Sequence, residues 1–571
     1  MPEQRSASQI LFGYLPEQTV DVRGGVWKVK SWRHAQEERN VDGETLRREL
    51  CRLAGPWEAS GKDGGLVKDL YTGRGRVRVK SLDRQNGVEL EPFPRTWICR
   101  ACNRLHPSPD SACECKSTGR KGQLHFVGYC ADCGDVREPW IRKCKAHQQV
   151  RVKFPGTASG SEIVFSCPTC NSELQKGFGF PVCGCGGKFT FNVHRAASVF
   201  TPRSVVIVNP PSPHKIRQIQ EAGGGPRALG WVLDGMRTAT MLQGRPDMEA
   251  LRRQLISQGL PEKVVDEMLR AATDSGEFHA ESDAGLPNEI AEEAEGQATT
   301  IALAMSDSRI QIADLINSVE PLSVSGVLYR ERYKQALEDA GLVAVELIDK
   351  FPVLTGHYGY TRGGSGPGDS RLRAYRDRSG DYIVYGDIAE TEALFVRLSP
   401  ERVAEWLRSR GYNLGMWHDS RSAHLAILRA AQQAGSSAGG TRTVHESLTM
   451  LVHSYAHRLI RLTAVHAGIE RNSLSELLVP LHQGFFLYAA ARGDFVLGGL
   501  QAVFEGDLHM LLREFVHGEH RCALDPGCTR GGGACVACLQ LGEPSCRFFN
   551  MMLDRRLLFG GSGYLGQPVI T

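Results

Sequence analysis

The rhythm of apolar and polar positions changes several times along the chain. Residues 1–95 alternate apolar and polar side chains with frequent glycine, as in "VRGGVWKVKSW" and "GRGRVRVKSL", which predicts short strands and turns. In the second of these stretches Arg74, Arg76, Arg78 and Lys80 share one face, as a phosphate-contacting stripe or as an edge strand guarded by charge. "SVFTPRSVVIVNPPSPH" gives a strand stopped by prolines and a boundary near residue 200. From 210 to 350 the period becomes helical: "GLPEKVVDEMLRAATD" places Pro261 at a helix start, and "SDSRIQIADLINSV" continues in that mode. Between them "DAGLPNEIAEEAEGQ" is acidic and poor in aromatics, which predicts a mobile connector. Strands return in "AVELIDKF", "YIVYGDI" and "EALFVRLS", and "SPERVAEWLRSRG" predicts a helix capped by Ser399, with Pro400 in its first turn and Gly411 as its stop. After a flexible junction, "AGSSAGGT" at 434–441, "HESLTMLVHSYAHRLIRLTAVHAG" reads as a helix buried through Leu448, Leu451, Tyr455, Leu459 and Leu462.

The predicted fold class is therefore α+β and multidomain. Five segments follow: β-rich 1–95, cysteine-rich 96–200, mainly helical 201–350 with its acidic linker, an α/β segment 351–433, and mostly helical 442–571. The length of 571 residues, 41% of them hydrophobic and 23% charged, agrees with roughly three to five domains. The net charge of +4 hides an asymmetry, since residues 51–240 carry 28 Lys+Arg against 15 Asp+Glu while 241–300 carry 5 against 13. Such a basic part either attracts a polyanion by counterion release or forms ordinary solvated faces. "MPEQRSASQILFGYLPEQTV" has charge and proline where a secretory core would run unbroken, and "LLVPLHQGFFLYAAA" is interrupted by Pro480, His482 and Gln483 and too short for a bilayer. The expectation is a cytoplasmic protein with no membrane partner.

In that compartment the 17 cysteines are expected to be metal ligands rather than disulfides. Three consecutive segments each carry a close pair followed by a second: Cys99 and Cys102 with Cys113 and Cys115; Cys130 and Cys133 with Cys144 and His147; Cys167 and Cys170 with Cys183 and Cys185. That is zinc-ribbon spacing, in which tetrahedral coordination brings two hairpin knuckles together, so 96–200 reads as a tandem zinc-ribbon module. Exchange of pairs between neighbours, for instance Cys113 and Cys115 joining Cys130 and Cys133, would leave the total unchanged. Cys528, Cys535, Cys538 and Cys546 make a fourth set, for about four Zn²⁺ in all. Cys51 and Cys522 are left over.

Two further constellations carry possible chemistry. His453 and His457 sit one helical turn apart, a metal or acid–base pair or else packed core histidines; Ser454 stands where a zincin has its glutamate. In "FPVLTGHYGYTRGGSGPGDSRLRAYR", Tyr358, Tyr360 and Tyr375 interleave with Arg362, Arg371, Arg373 and Arg376, which suits stacking of bases and holding of phosphates. Nucleic-acid contact is expected from Tyr358, Tyr360, Arg362, Arg371 and Arg373, with a plain Gly-rich connector as the alternative reading. "EASGKDGG" has Asp63 where a P-loop needs a hydroxyl, and with no ATPase or hydrolase motif the chain is expected not to be an enzyme.

Residues 444–560 resemble the MrfA-like zinc-binding domain found at the carboxyl end of certain helicases and in stand-alone helicase partners. The features that carry it are "LVHSYAHRLIRL", "GFFLYAAARGDFVLGGL" and "GCTRGGGACVACLQLGEPSCRFFNMMLDRRLL", with Asn550 and "LDRR" at 553–556 after the cysteines. With ribbons upstream, "FPVLTGHYGYTR" and "ETEALFVRLSPERVAEWL", the chain resembles the DrmB family of the bacterial DISARM antiphage system. The resemblance implies a non-catalytic zinc-binding partner of a DrmA-type superfamily-two helicase that helps bind or load foreign DNA. The competing expectations are a metal-dependent nuclease or hydrolase using His453 and His457, and a zinc-ribbon subunit of a transcription or RNA-processing assembly.

Overall fold

The computed structural model describes residues 6–22, 24–83, 85–119, 121–155, 160–179, 181–242, 255–256, 260–267, 286–364, 366–437, 440–490, 497–542, 546, 548 and 550–566. The chain is mixed α and β and forms two compact units that do not follow chain order: 1–210 with 354–388, and 211–353 with 389–571. Two long strands, Leu342–Thr361 and Tyr382–Leu398, run from one unit into the other.

In the first unit, Thr19–Val22, Gly25–Trp32 and Val88–Pro92 form an antiparallel sheet. The expectation of a β-rich start is corrected by three helices, Ala7–Gly13, Gly43–Ala59 and Leu66–Tyr71. Asp42 caps the second by accepting from the Thr45 N–H, and Leu46, Leu50, Ala54 and Trp57 recur at helical spacing among Arg and Glu. They pack with Val79, Val205, Ile207, Leu354, Tyr358 and Val384. The Arg74–Lys80 stripe is not an edge strand. Its core, Val77–Ser81, pairs with Gln36–Glu38 on one side and in parallel with 382–385 on the other, and Arg78 bonds Asp381 at 2.7 Å.

The second unit is organised around the helix Val444–His466. Thr443 and Glu446 close a capping box at its start, and 17 of its residues are buried, the mark of an interior helix. It packs in one core with Leu394, Val396, Phe485 and Leu487 from the antiparallel pair 393–397 and 484–488, flanked by Pro400–Ser409 and Leu508–His517. The carboxyl-terminal segment is thus not helical alone: Leu474–Val479 and Gly484–Ala489 form a hairpin. Ser399 caps the helix Pro400–Ser409 and Gly411 ends it with φ +88°, as the sequence predicts.

Two linkers differ from expectation. The acidic connector is in part the helix Asn288–Ala304, whose Ile290, Ala294, Ala298 and Ile301 are buried at helical spacing; residues 268–285 lie outside the described residues. "AGSSAGGT" contributes the paired strands Ala434–Ser437 and Gly440–Thr443. Among the described residues no helix is long and apolar enough to cross a membrane.

A buried arginine–glutamate ion pair lies in the second unit. The guanidinium of Arg309 meets the Glu346 carboxylate at 2.8 and 3.0 Å with both side chains 2% exposed, and Arg397 approaches at 3.4 Å. The two arginines hold the Glu346 carboxyl below its usual range against the desolvation that opposes them. Glu346→Ala strands both cations, and denaturant unfolding is expected to show a loss of about 3–5 kcal/mol.

Candidate metal centres

Each centre in the first unit is built from short chain reversals of one kind. In Cys99–Arg104, Cys130–Asp135, Cys144–Gln149 and Cys167–Ser172, the residue after the second ligand donates its N–H to the carbonyl of the first ligand at 2.8–3.0 Å. The first ligand's own N–H then donates to the carbonyl two residues past the second ligand, at 2.9–3.2 Å. Closing that turn needs a positive φ after the second ligand, and Asn103, Gly134, Gln148 and Asn171 supply it at 57°, 73°, 53° and 59°. The Cys144–His147 reversal is therefore the same knuckle with imidazole in place of the last thiol.

The knuckles do not pair in chain order. Cys99 and Cys102 meet Cys113 and Cys115 as predicted, but Cys130 and Cys133 meet Cys183 and Cys185, while Cys144 and His147 meet Cys167 and Cys170. The third centre is thus nested inside the sequence span of the second, correcting the sequential grouping. The physical reason is strand pairing: Phe126–Cys130 pairs antiparallel with Phe189–Val193, with Phe189 opposite Cys130, which carries Cys183 and Cys185 to the first knuckle. The inserted stretch forms its own sheet, Arg151–Lys153, Val164–Ser166 and Glu173–Lys176, with Cys167 and Cys170 in its second turn.

In the second unit the thiols sort differently. Cys522, left over in the sequence, joins Cys528, Cys535 and Cys538. Cys546, expected in that set, lies instead against the long helix with its Sγ 3.3 Å from His453 Nε2. Asn550 and the "LDRR" segment are structural ties. Asn550 bonds the Leu541 N–H and carbonyl at 2.9 Å each, the Asp554 N–H donates to Ser454 Oγ at 2.9 Å, and Arg555 pairs with Asp525.

The sulfurs fit a tetrahedral ion. Zn–S bonds of about 2.3 Å imply S···S edges of about 3.8 Å. The separations are 3.6 Å for Cys99–Cys115, 3.4 Å for Cys102–Cys113, 3.6 Å for Cys130–Cys185, 3.5 Å for Cys133–Cys183, 3.9 Å for Cys144–Cys170 and 3.6 Å for Cys528–Cys538. All exceed a disulfide bond of about 2.05 Å by far. Backbone N–H groups of Thr169, Cys170, Gly187 and Leu524 point at ligand sulfurs at 3.4–3.5 Å, which stabilises thiolate. Burial first, then neighbouring sulfurs, pushes the Cys102, Cys133 and Cys528 thiols up to about 12, so four thiols this close do not ionise together without a cation to share. Zinc suits this donor chemistry and would be held by these four sets.

The Tyr/Arg loop has another role. Tyr358, Tyr360 and Tyr375 are 3%, 6% and 7% exposed and belong to cores, so they offer no face for a base. Arg362 is 0% exposed and donates to the carbonyls of Gly134, Val199 and Glu17 at 2.9, 2.6 and 2.9 Å. It joins the knuckle turn at Gly134 to the body of its unit. Arg371 and Arg373 alone of the five expected contacts are exposed. A different aromatic, outside the sequence expectation, is exposed: Trp140, 68% exposed, in a cleft lined also by Arg95, Arg104, Pro139, Lys143 and Gln148. Its signal is the run "PWIRKCK", where aromatic and basic residues adjoin a knuckle.

Metal counts on paired variants distinguish nested from sequential ligation. Cys133→Ala with Cys185→Ala disables one centre and is expected to lower the zinc content of the purified chain by about one equivalent, whereas Cys133→Ala with Cys144→Ala lowers it by about two. Sequential pairing inverts the two results. For the loop, Arg362→Lys leaves carbonyls unserved and is expected to cost about 2–4 kcal/mol in thermal or denaturant unfolding, a stability change that a surface phosphate contact would not produce.

Compared with known proteins, residues 6–198 match a family model described as a domain of unknown function, DUF8724. That stretch holds all three amino-terminal centres. Among curated proteins the chain is similar to the DISARM protein DrmB of Bacillus paralicheniformis, 25% identical over 180 residues, which is 29% of this chain and 31% of that protein. The match spans about a third of the length of that relative, and the relationship it supports is a DrmB-like one.

Proposed function

We propose that this chain is a non-catalytic, zinc-clasped scaffold of DISARM-type antiphage defence, which docks a DrmA-type superfamily-two helicase and helps it bind or load foreign DNA. The observation that carries the reading is the closure of the ligand sets. Each of the four groups described above supplies four protein ligands, which leaves no coordination position for a water to be activated. The similarity to a DISARM protein DrmB supplies the context. His453 and His457, on which a hydrolytic reading would depend, are 0% exposed, out of reach of a polymeric substrate.

For the DNA contact, the ribbon module is the favoured surface. Trp140 presents a ring for stacking, and Arg142, Lys143 and Lys145 are exposed beside it, with the Arg142 guanidinium 5.7 Å from the ring centre. Arg371 and Arg373 add exposed charge in the same unit. An aromatic flanked by cations binds single strands with little sequence preference and with strong salt dependence.

The test uses the chain co-expressed with a DrmA-type superfamily-two helicase. Co-purification with that helicase is expected; co-purification with polymerase subunits instead would favour the transcription alternative, and cleavage of nucleic acid by the lone chain would end the non-catalytic reading. For the complex, affinity for a fluorescent single-stranded oligonucleotide is expected to fall steeply between about 50 and 200 mM salt. Replacing Arg142, Lys143 and Lys145 by alanine is expected to make the log–log salt slope shallower by about two with zinc content unchanged. An unchanged slope removes this cleft from the interface.

A further inference from the structure

We propose that His453, His457, Glu476 and Cys546 bind a divalent transition-metal ion of the zinc class in a closed mixed-ligand centre, separate from the four cysteine-rich ones. The four residues come from three places: adjacent turns of the helix Val444–His466, the strand Leu474–Val479, and the segment past the carboxyl-terminal thiols. Their donor atoms lie within 4.8 Å of one another. His453 Nε2 is 2.9 Å and His457 Nε2 3.2 Å from Glu476 Oε1, and Cys546 Sγ is 3.3 Å from His453 Nε2. The residues are 0%, 0%, 1% and 3% exposed.

Hydrogen bonding fixes one of the ring protons, and the remaining contacts suit a cation. His457 Nδ1 is 3.0 Å from the Leu539 carbonyl, which only accepts, so Nδ1 carries the hydrogen. A neutral ring then turns the Nε2 lone pair toward the Glu476 oxygen, and two acceptors face each other across 3.2 Å. A metal between them removes that repulsion, and a ligand histidine whose other N–H is held by a carbonyl is the usual orienting arrangement. Glu476 Oε2, also buried, has no hydrogen-bond partner among the described residues, although an ionised carboxylate this deep needs one or a cation. Glutamate and cysteine thiolate together carry two negative charges and the imidazoles none, which a divalent ion neutralises. The Asn550 N–H donates to Cys546 Sγ at 3.3 Å, as backbone amides do to ligand sulfurs.

Two imidazoles, one carboxylate and one thiolate in a compact cage suit Zn²⁺, with Co²⁺ as its spectroscopic substitute. Four protein ligands and full burial make the centre structural. It pins Cys546 and the chain beyond it to the long helix. It also abuts the neighbouring thiolate centre, because the carbonyl that orients His457 belongs to Leu539, next to the ligand Cys538.

The full-length chain tests this by elemental analysis and native mass spectrometry. Cys546→Ala is expected to bind about one zinc fewer than the unmodified chain, Cys535→Ala also one fewer, and the double variant two fewer. Cys546→Ala retaining the full metal content would overturn the proposal and make the cluster a hydrogen-bonded network with a protonated imidazole. If Cys546→Ala does not fold, anomalous diffraction at the zinc edge from the unmodified chain decides. A peak about 2.0–2.3 Å from the four donor atoms supports the centre, and its absence beside a peak at Cys522, Cys528, Cys535 and Cys538 refutes it.

Discussion

The convergence of cysteines into sets that could share a metal ion is the constraint on which the ribbon segment depends, because its strands are too short to hold one another. The sheets there are built from strands of two to five residues, such as Trp97–Ile98 with Leu105–His106 and Gly122–Gln123. Their apolar clusters are small, one of them consisting of Val127, Tyr129 and Val199 with a few half-buried neighbours. Cores of this size do not offset the conformational entropy of the residues they order. Four bonds to one ion would, and they would fix knuckle geometry at the same time. That is why six residues directly after ligands, Asn103, Lys116, Gly134, Gln148, Asn171 and Gly186, all adopt the left-handed conformation although only two are glycine. The strain at the others is tolerated where coordination over-determines the turn.

That most of the cysteines cluster was legible in the sequence, and the partition of the clusters was not. Local spacing identifies a C-x-x-C knuckle but carries no information on which second pair it meets. That is decided by the register that sets Phe189 opposite Cys130, some sixty residues away in the chain. Cys522 and Cys546 exchange places for a similar reason. Cys546 is drawn to the helix by His453, a partner with no sequence proximity. The helices and strands from 340 to 466 were readable because long periodic runs and caps such as Ser399 and Thr443 speak locally. The Gly43–Ala59 helix was hidden by charge, its apolar positions being few and its Arg and Glu residues dominating the composition.

The Tyr/Arg loop shows how composition misleads when burial is unknown. Tyrosine beside arginine fits a base-stacking platform and equally a strand whose two faces are both covered. "FPVLTGHYGYT" belongs to the second kind, and its near-continuous apolar run is the signature of a strand buried on both sides. Arg362 then completes that interior. Its planar fork matches three diverging carbonyls, one of them at the Gly134 turn that follows Cys133, so a metal knuckle and a core strand are joined through one guanidinium. A lysine at that place has neither the reach nor the geometry.

Closed coordination and buried histidines bear on how such a protein would act. A centre with a free position invites chemistry, whereas centres filled by protein transmit only shape. In the second unit the set Cys522, Cys528, Cys535 and Cys538 together with Cys546 would clasp the described carboxyl-terminal residues onto the helix Val444–His466, beside exposed apolar side chains such as Val465, 77% exposed, and Val536, 69% exposed. Loss of a ligand there would first disorder the surface those residues offer, before any global unfolding. Loss of the Cys522, Cys528, Cys535 and Cys538 set would leave in place the apolar core around Phe485, Leu487 and Tyr455, to which none of those four thiols belongs.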